Sequence, residues 1–235
     1  MCGRYTLSNP QGSFSETPEI DARFLAEFVE TGWVEPRYNI APTQDVPVIT
    51  NEGARRIERM RWGLVPFWAQ GLKIGNRMIN ARGETVAEKP AFRTSFNRKR
   101  CLIPASGFYE WKREGKTKTP MHIRLHGGGF YAMAGLYDRW KNPEGEWISS
   151  CTIITTSANE LMALIHDRMP VILPEEAEAA WINLEIDDAE TLQSFIRPFP
   201  AASLEAYEVS SMVNAAKNQG AELIEPVESG RLPGF

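Results

Sequence analysis

The amino-acid sequence predicts an α+β fold, built mainly from antiparallel β-sheet with helices at its periphery. Short apolar segments recur between residues 101 and 155, and polar or glycine-rich turns separate them. This spacing is typical of hairpins and meanders. Segments with helical periodicity are short and lie outside this region. Strands grouped in one part of a chain and helices in others indicate the α+β class.

The expected elements follow the chain in order. Apolar residues fall on one side of a 3.6-residue period between residues 20 and 31, which predicts an amphipathic helix. Residues 35–43 form a proline-bounded extended segment, in which Pro42 sets a rigid corner because its φ angle is fixed. The other helices are expected at residues 89–96, 158–165, 174–182 and 187–196. Strands are expected at residues 46–50, 55–65, 101–104, 108–112, 121–125, 130–136, 147–155 and 204–209.

Two further segments have weaker patterns. Residues 71–83 are polar and indicate a loop or an edge segment, and the last 25 residues are expected to be irregular. The sequence contains no repeats and no clear internal linker. We therefore expect one domain that spans residues 1–235.

The composition excludes several classes of protein. The chain has 235 residues, of which 43% are hydrophobic and 24% charged, as in ordinary globular proteins. Its three cysteines are far apart and lack CxxC spacing, which argues against a disulfide framework and a structural zinc site. No signal peptide and no apolar stretch of about 18–20 residues is present, so we expect a cytoplasmic protein without membrane contact. Nucleotide-cofactor motifs are also absent, and we expect no cofactor, no metal and a monomer.

The net charge of −4 hides a strong asymmetry along the chain. Residues 55–118 hold 16 of the 26 lysines and arginines but only 5 of the 30 acidic residues. Such a division indicates a surface that binds a polyanion on an otherwise acidic protein. Chance differences between solvated faces are the alternative. Aromatic residues are interleaved with the basic ones, a mixture that binds single-stranded nucleic acid, although at least half of these rings are expected in the core.

The chain begins Met1-Cys2-Gly3-Arg4-Tyr5. Methionine aminopeptidases remove Met1 when the next residue is small, which leaves Cys2 with a free α-amine and a thiol. An amine condenses with an aldehyde to a Schiff base, and the neighbouring thiol closes on it to a thiazolidine. The reference pKa of an α-amine is about 7.7–8.0, so part of it is neutral and nucleophilic near pH 7. An incidental cysteine on a frayed terminus is the alternative.

Two local clusters carry groups suited to binding and proton transfer. Asn80 and Arg82 lie on the same side of the chain if their segment is extended, where one can hold an oxygen and the other a phosphate. An ordinary polar turn is the alternative. Glu110 lies between Tyr109 and Trp111 in an apolar strand, where burial would raise its pKa and suit it to general acid catalysis. The alternative is an outward residue on a solvated face.

His166 is the histidine with the most suggestive setting, because it follows an apolar helix and precedes a proline-fixed turn. A loop after a helix is a common position for a proton-transfer residue. A structural role is the alternative for any single histidine. His122 and His126 are expected to be surface residues.

Seven motifs together resemble one known family. They are MCGRY at the N-terminus, RYNIAPTQ (37–44), RWGLVPFW (61–68), INARGET (79–85), CLIPASGFYEW (101–111), IHDRMP (165–170) and VNAAKNQGAELIEP (213–226). In this order they resemble the SOS response-associated peptidase (SRAP) domain over nearly the whole chain. The resemblance implies an SRAP-like domain with a barrel-like β core. It also implies a protein that recognises abasic sites in single-stranded DNA, is cross-linked to them through its N-terminal cysteine and processes its own N-terminus.

The resemblance also implies residue roles. Cys2 is similar to the cross-linking aminothiol, Asn80 to the residue that orients the abasic sugar, and Glu110 with His166 to an acid–base pair. Arg82 is implied to bind a phosphate. The other residues in motifs associated with DNA binding are Arg4, Pro42, Phe67, Trp68 and Arg168.

Two details of the sequence bear on what the resemblance implies. Phe67 precedes Trp68 where some relatives carry two tryptophans, and a retained Met1 would block the α-amine of Cys2. The protein would be cytoplasmic and associated with the nucleoid when bound to DNA. A thiol peptidase that uses Cys2 with His166 and Glu110, and a non-covalent single-strand DNA binder, remain as alternatives.

Overall fold

The computed structural model describes residues 2–8 and 35–231. Two β-sheets make up most of the described chain, and all but two of their pairings are antiparallel. The strands are β1 (Arg4–Leu7), β2 (Arg37–Ile40), β3 (Asp45–Asn51), β4 (Arg55–Trp62), β5 (Asn80–Arg82), β6 (Arg100–Ala105), β7 (Gly107–Glu114), β8 (Thr117–Leu125), β9 (Tyr131–Lys141), β10 (Trp147–Ser157), β11 (Arg168–Pro170), β12 (Ile172–Leu173), β13 (Leu204–Val209) and β14 (Pro226–Arg231).

One sheet closes into a barrel, as the resemblance implied. Strands β10, β4, β3, β6 and β9 pair in that order, and β9 pairs again with β10, so the ring has no free edge. The closing contact of β10 with β4 is parallel, with Cys151 opposite Trp62. Strands β5 and β11 both pair with the C-terminal end of β10, at residues 153–155 and 155–157 respectively, and β12 pairs with β9. This arrangement brings β5 and β11 to the same end of β10.

The second sheet has six strands in the order β14-β13-β8-β7-β1-β2. Strand β1, which carries the N-terminal motif, lies between β7 and β2 and is therefore paired along both edges. Tyr5 of β1 contacts Trp62 of the barrel in a T-shaped arrangement, with ring centroids 5.4 Å apart. Both rings are fully buried in the hydrophobic core that the two sheets share. The N-terminal segment is thus fixed between the sheets.

Within residues 2–8 and 35–231, four short α-helices lie outside the barrel: α1 (Arg93–Arg98), α2 (Glu160–Ala163), α3 (Glu175–Ile182) and α4 (Ala189–Ser194). Arg100, at the start of β6, is fully buried and attaches α1, α3 and the segment after α3 to the barrel. Its guanidinium donates to the carbonyl oxygens of residues 96, 97, 181, 183 and 186 at 2.6–2.9 Å. Burial lowers the pKa of Arg100 to about 10, and the five acceptors hold its charge in place.

The fold class and most strands predicted from the sequence are confirmed. Every expected strand is present, and most extend beyond the expected bounds. Strand β4 ends at Trp62 rather than at residue 65, because Gly63 has a φ angle of +122°. The helix expected at 89–96 begins only at Arg93, after a series of turns. The helix expected at residues 20–31 lies outside the described residues.

The prediction that the last 25 residues are irregular was wrong. Residues Ser211–Asn214 and Ala221–Ile224 form short 3₁₀ helices, and Pro226–Arg231 forms β14. Strand β14 pairs with β13, with Val209 opposite Pro226. Proline, serine and glycine disfavour strands locally, so the available pairing edge of β13 decides the structure here.

His122 is not at the surface, as the sequence had suggested, but 2% exposed in strand β8. Its ring lies between Tyr109 and Tyr207, with centroids 5.0 and 5.5 Å away. The Tyr207 hydroxyl donates to the carbonyl of Ile224, so it accepts a hydrogen bond from Nδ1 of His122 at 3.0 Å. Nε2 then accepts from the hydroxyl of Thr6 at 3.3 Å. Burial lowers the pKa of His122 to about 3, and the ring is neutral. His126 is exposed, as expected.

Candidate active site

Cys2 lies immediately before β1 and is fully buried. Its Sγ lies 3.8 Å from the carbonyl oxygen of Arg4, and its own carbonyl oxygen accepts a hydrogen bond of 2.8 Å from Nδ2 of Asn80. Burial, and secondarily the negative charge of Glu110, raises the pKa of the thiol far above its usual range. The sulfur is therefore a protonated thiol at neutral pH, close to Glu110.

Asn80 begins β5, which pairs in parallel with β10. The segment is extended, as the sequence interpretation required, and buried Ala81 separates Asn80 from exposed Arg82. The bond from Nδ2 to the carbonyl of Cys2 fixes the orientation of the amide. Oδ1 of Asn80 is buried and has no hydrogen-bond partner within residues 2–8 and 35–231. An unsatisfied buried acceptor costs about 1–3 kcal/mol, and a hydroxyl donor from a bound molecule would remove that cost.

Glu110 lies in β7 and is 3% exposed. It is therefore buried, as the general-acid interpretation required, and is not an outward residue on a solvated face. It lines a pocket of about 430 Å³ together with His166. The other lining residues are Trp111, Arg113, Lys118 and Asn214. The structure therefore brings the two acid–base candidates to one cavity, and Glu110 also lies close enough to Cys2 to raise the pKa of its thiol. This grouping joins β7 with the loop after α2, 56 positions apart in the sequence.

His166 follows α2 and is half-buried. Its Nδ1 lies 2.8 Å from Oδ1 of Asp167 and 3.1 Å from the backbone nitrogen of Arg168. A protonated Nδ1 donates to Asp167, whereas an unprotonated Nδ1 accepts from the N–H of Arg168. Both protonation states of this nitrogen therefore have a partner, which suits a group that gains and loses a proton.

Arg82 and Arg168 lie on the two strands that extend from the end of β10. Arg82 pairs in register with Thr155, and Arg168 with Ser157. The guanidinium of Arg168 makes a bidentate pair with Glu84 at 2.9 Å for both bonds and donates to the carbonyl of Thr155 at 2.7 Å. Arg168 lowers the pKa of Glu84 through these hydrogen bonds. One exposed and one rigidly held guanidinium thus lie at the same end of the barrel.

Arg4 and Pro42 hold the surroundings of Cys2 rather than an open surface. Nη1 of Arg4 donates to Asn39 and to the carbonyl of Val213, both at 2.8 Å. Nη2 donates to the carbonyl of Asn214 at 3.3 Å. Pro42 is half-buried in the turn between β2 and β3. Arg4 therefore links the N-terminal strand to the C-terminal segment.

With this geometry, the chain can be compared with known proteins. Residues 1–216 match the family model described as SOS response associated peptidase (SRAP). The chain belongs to the SRAP family. It is 51% identical to the abasic site processing protein YoqW of Bacillus subtilis, over 96% of this chain and 99% of that protein. It is 33% identical to the abasic site processing protein YedK of Escherichia coli, over 97% of this chain and all of that protein.

The abasic site processing protein HMCES of Xenopus tropicalis is 31% identical over 82% of this chain and 67% of its own length. A crystal structure of a protein from Bacteroides thetaiotaomicron superimposes with a TM-score of 0.73 at 30% identity, covering 80% of this chain and 85% of that one. The SRAP fold predicted from the motifs is therefore confirmed.

The SRAP motif at residues 61–68 places two aromatic side chains in solvent. Phe67 is 57% and Trp68 is 48% exposed, although the segment itself is anchored by the backbone N–H of Phe67, which donates to Asp138 at 2.8 Å. Trp62 and Phe96 are fully buried, so part of the aromatic series belongs to the core, as expected. Rings exposed on an anchored segment are suited to stacking on planar groups.

Sequence reasoning missed four of the six residues that line the pocket of this SRAP chain: Trp111, Arg113, Lys118 and Asn214. Nε1 of Trp111 donates to Oδ1 of Asn214 at 2.7 Å, which closes the pocket between β7 and the C-terminal segment. Asn214 belongs to the motif VNAAKNQ, which was the available signal, but the segment around it was expected to be irregular. The hydroxyl groups of Tyr5 and Tyr131 are also buried without a partner in the described part of the chain.

Two general findings complete the site. The described residues contain no group of three or more histidine, cysteine or acidic side chains arranged to hold a metal ion. None of the helices in the same residues is long and apolar enough to cross a membrane.

Proposed function

We propose that this chain captures abasic sites in single-stranded DNA as a covalent thiazolidine on Cys2. The observation that supports the proposal most is the pocket that Glu110 and His166 share beside the Cys2 thiol, whose backbone is held by Asn80. The names of several relatives, which are abasic site processing proteins, support the same class of substrate.

The proposed reaction consumes an aldehyde and releases one water molecule. The abasic deoxyribose is mostly a cyclic hemiacetal. It opens to the aldehyde when its ring oxygen gains a proton and the hydroxyl on C1 loses one. Glu110 gives the proton to the ring oxygen, and His166 takes up the hydroxyl proton and returns it to Glu110. The α-amine of Cys2, free once Met1 is removed, adds to the aldehyde carbon and water leaves as the imine forms. The thiol then adds to the imine carbon, and its proton ends on the nitrogen.

The raised pKa of the Cys2 thiol fits this order of events. A protonated thiol is a poor nucleophile and resists oxidation before DNA is bound. The imine that forms on the neighbouring nitrogen carries a positive charge when protonated, which lowers the pKa of the thiol. The sulfur therefore becomes nucleophilic only after the aldehyde has reacted with the amine. Glu110 is close enough to take up the thiol proton and pass it to the nitrogen.

The remaining site residues are proposed to hold the DNA. Arg82 and Arg168 bind phosphates at the end of the barrel, and Phe67 and Trp68 stack on bases. Oδ1 of Asn80 accepts a hydrogen bond from a hydroxyl of the opened sugar. Arg4 and Pro42 shape the wall near the N-terminus.

Removal of Met1 by the chain itself is part of the proposal, because the amine of Cys2 must be free. A peptidase that acts on other chains is less well supported. A thiol nucleophile in a peptidase has a lowered pKa and a histidine partner, whereas burial raises the pKa of Cys2. Among the described residues, the hydrogen bond found for its Sγ is to the carbonyl of Arg4.

The decisive experiment removes the amine and the thiol separately. Wild type, Cys2→Ser and a chain with one extra residue before Cys2 are incubated with a single strand that carries one abasic site, after mass spectrometry of each N-terminus. We expect a stable cross-link on a denaturing gel from wild type alone. Cys2→Ser retains the amine and should give an adduct only after borohydride reduction.

The extended chain retains the thiol but its amine is in a peptide bond, so it should give neither species. A stable cross-link from the extended chain would refute the thiazolidine mechanism. An intact strand without an abasic site is the control for specificity, because it offers no aldehyde.

A further inference from the structure

The hairpin formed by β7 and β8 places two positive charges directly opposite each other. Arg113 and Lys118 are cross-strand partners, and both side chains are exposed. Like charges in such a pair destabilise a sheet. Neither side chain has an acidic partner within 4.0 Å in the part of the chain that the structure describes. The pair therefore has an electrostatic cost that the protein itself leaves uncompensated.

Neighbouring charges do not remove this repulsion. Lys112 and Glu114 pair with each other at 2.7 Å, so the nearest acidic side chain along the strand is already engaged by a lysine. The turn of the hairpin adds Lys116. Glu110 lies in the same pocket but forms no ion pair within 4.0 Å with either cation in the described residues, so a bound anion would offset the repulsion between Arg113 and Lys118.

Both side chains line the pocket that contains Glu110 and His166. Arg113 and Lys118 lie on strands of the six-stranded sheet, whereas Arg82 and Arg168 lie on strands attached to the barrel. The two pairs of cations therefore flank the candidate active site from different sheets. A DNA strand whose abasic residue occupies the pocket continues in two directions and carries a phosphate at every nucleotide.

We propose that Arg113 and Lys118 form a clamp for one backbone phosphate of the DNA strand that adjoins the captured abasic residue. This clamp rests on the proposed function, since it assumes that the strand enters the pocket. The guanidinium of Arg113 binds two phosphate oxygens and the ammonium of Lys118 acts as a compact charge beside them. Binding of the phosphate relieves the repulsion between the two side chains.

The first test is the salt dependence of binding to a single strand that carries a tetrahydrofuran abasic analogue, which has no aldehyde. For single strands, log K falls with log salt at a slope of about −0.7 per neutralised phosphate. Arg113→Gln and Lys118→Gln should each weaken binding, and the double variant should flatten the slope by about 0.7 if the pair neutralises one phosphate. Lys116→Gln, in the turn of the same hairpin, is the matched control and should leave the slope unchanged.

A second test locates the phosphate. One phosphate at a time, within three nucleotides on either side of the analogue, is replaced by an uncharged methylphosphonate. At the clamped position, the replacement should weaken wild-type binding as much as the double substitution does, and it should not weaken the double variant further. Independent effects at every position would overturn the clamp.

A third test needs no DNA. Lys118→Glu places an opposite charge across from Arg113, so it should raise the Tm of the free protein while it weakens binding to the analogue. A lowered Tm would show that the two cations do not repel each other and would overturn the inference.

The clamp and the proposed function can fail separately. Suppose that wild type cross-links to an aldehyde-containing strand, but Arg113→Gln, Lys118→Gln and the double variant all keep the wild-type slope. The clamp alone is then wrong. If wild type does not cross-link, the proposed function is wrong, and the slopes and methylphosphonate series still decide whether the pair binds a phosphate.

Discussion

At the scale of single residues, the candidate site combines groups whose surroundings prepare them for different tasks. Asn80 is fixed by its bond to Cys2, and its free carbonyl oxygen is available to a ligand. Glu110 is buried beside a thiol, while His166 has a partner for either protonation state of Nδ1. The proposed binding and proton-transfer roles fall on different residues, so substitutions should separate them.

Glu110→Gln and His166→Ala should each slow cross-linking by about 10²–10⁴-fold, because each removes a proton-transfer group. Binding to the tetrahydrofuran analogue should stay near the wild-type value, because neither group is proposed to hold the DNA. Cross-linking rates come from quenched time courses on denaturing gels, and affinities from fluorescence anisotropy. Variants that lose analogue binding but retain the rate would reverse these roles.

Motifs and residue chemistry indicated Cys2, Asn80, Glu110 and His166 as candidates, and their roles stay predictions. Their contacts could not be predicted, since the bond between Asn80 and Cys2 joins positions 78 apart. No local pattern encodes such a contact, because it depends on how β1 and β5 are placed by two different sheets. His122 was assigned to the surface for the same reason. The burial of a polar residue on an interior strand depends on the strands beside it.

At the scale of elements, the segment between β4 and the first 3₁₀ helix (Leu72–Arg77) combines a rigid backbone with exposed rings. Gly63 requires its left-handed conformation here, and a Cβ at this position would lie 2.6 Å from the carbonyl oxygen of Gly75. The segment is thus held at Gly63 and at the backbone of Phe67. Its aromatic side chains extend from a fixed position, so stacking needs little ordering of the backbone.

Phe67→Ala and Trp68→Ala should each weaken non-covalent binding of single-stranded DNA, by about 1–3 kcal/mol if each ring stacks on one base. The Tm should change little, because both rings are largely exposed. Trp147→Ala is the comparison, since Trp147 is 66% exposed and lies outside the motif but lines the same cavity as Phe67. Anisotropy titrations with unmodified single strands provide the measurement. An equal loss for Trp147→Ala would extend the stacking surface to this cavity, whereas unchanged binding by Phe67→Ala and Trp68→Ala would contradict the stacking role.

Element prediction succeeded where the local pattern and the long-range pairing agree, as in β6 to β10. It failed at β14, because the proline, serine and glycine of this strand gave no strand signal. Its pairing partner β13 is also separated from it by 16 residues. The parallel pairing of β4 with β10, which closes the barrel, could not be predicted either, because 84 residues lie between the two strands. Register between distant strands depends on the whole core rather than on local sequence.

At the scale of the whole molecule, the charge asymmetry overstates the surface available to DNA. Arg100 belongs to the basic stretch, yet its guanidinium is used within the fold. Lys99 is paired with Asp138, at 2.5 Å. The cations proposed to bind phosphate are the exposed Arg82, Arg113 and Lys118, together with Arg168. A sequence count of charges therefore sets only an upper limit for the electrostatic contribution.

Acid should destabilise the whole fold through His122. The pKa of this residue is about 3 in the folded state and about 6.5 when unfolded, so the unfolded chain binds the proton between these values. The free energy of unfolding should fall by about 1.4 kcal/mol for each pH unit lost within this window, in addition to other groups. His122→Gln should be less stable than wild type at pH 7 but should show a shallower pH dependence between pH 6 and 4.

Urea denaturation at a series of pH values measures this difference. His126→Gln, which changes an exposed histidine in a glycine-rich turn, is the control and should follow the wild-type curve. A His122→Gln curve parallel to that of wild type would show that the ring is not buried neutral in solution.

The burial of all three cysteines has a practical and chemical consequence. Small alkylating reagents should leave the native protein unlabelled and modify it only as it opens, so thiol labelling reports opening rather than activity. A 1,2-aminothiol reacts with almost any aldehyde, including sugars and metabolites present at far higher concentration than damaged DNA. In the proposed mechanism, enclosing the sulfur of Cys2 makes access, rather than intrinsic reactivity, the source of discrimination among aldehydes.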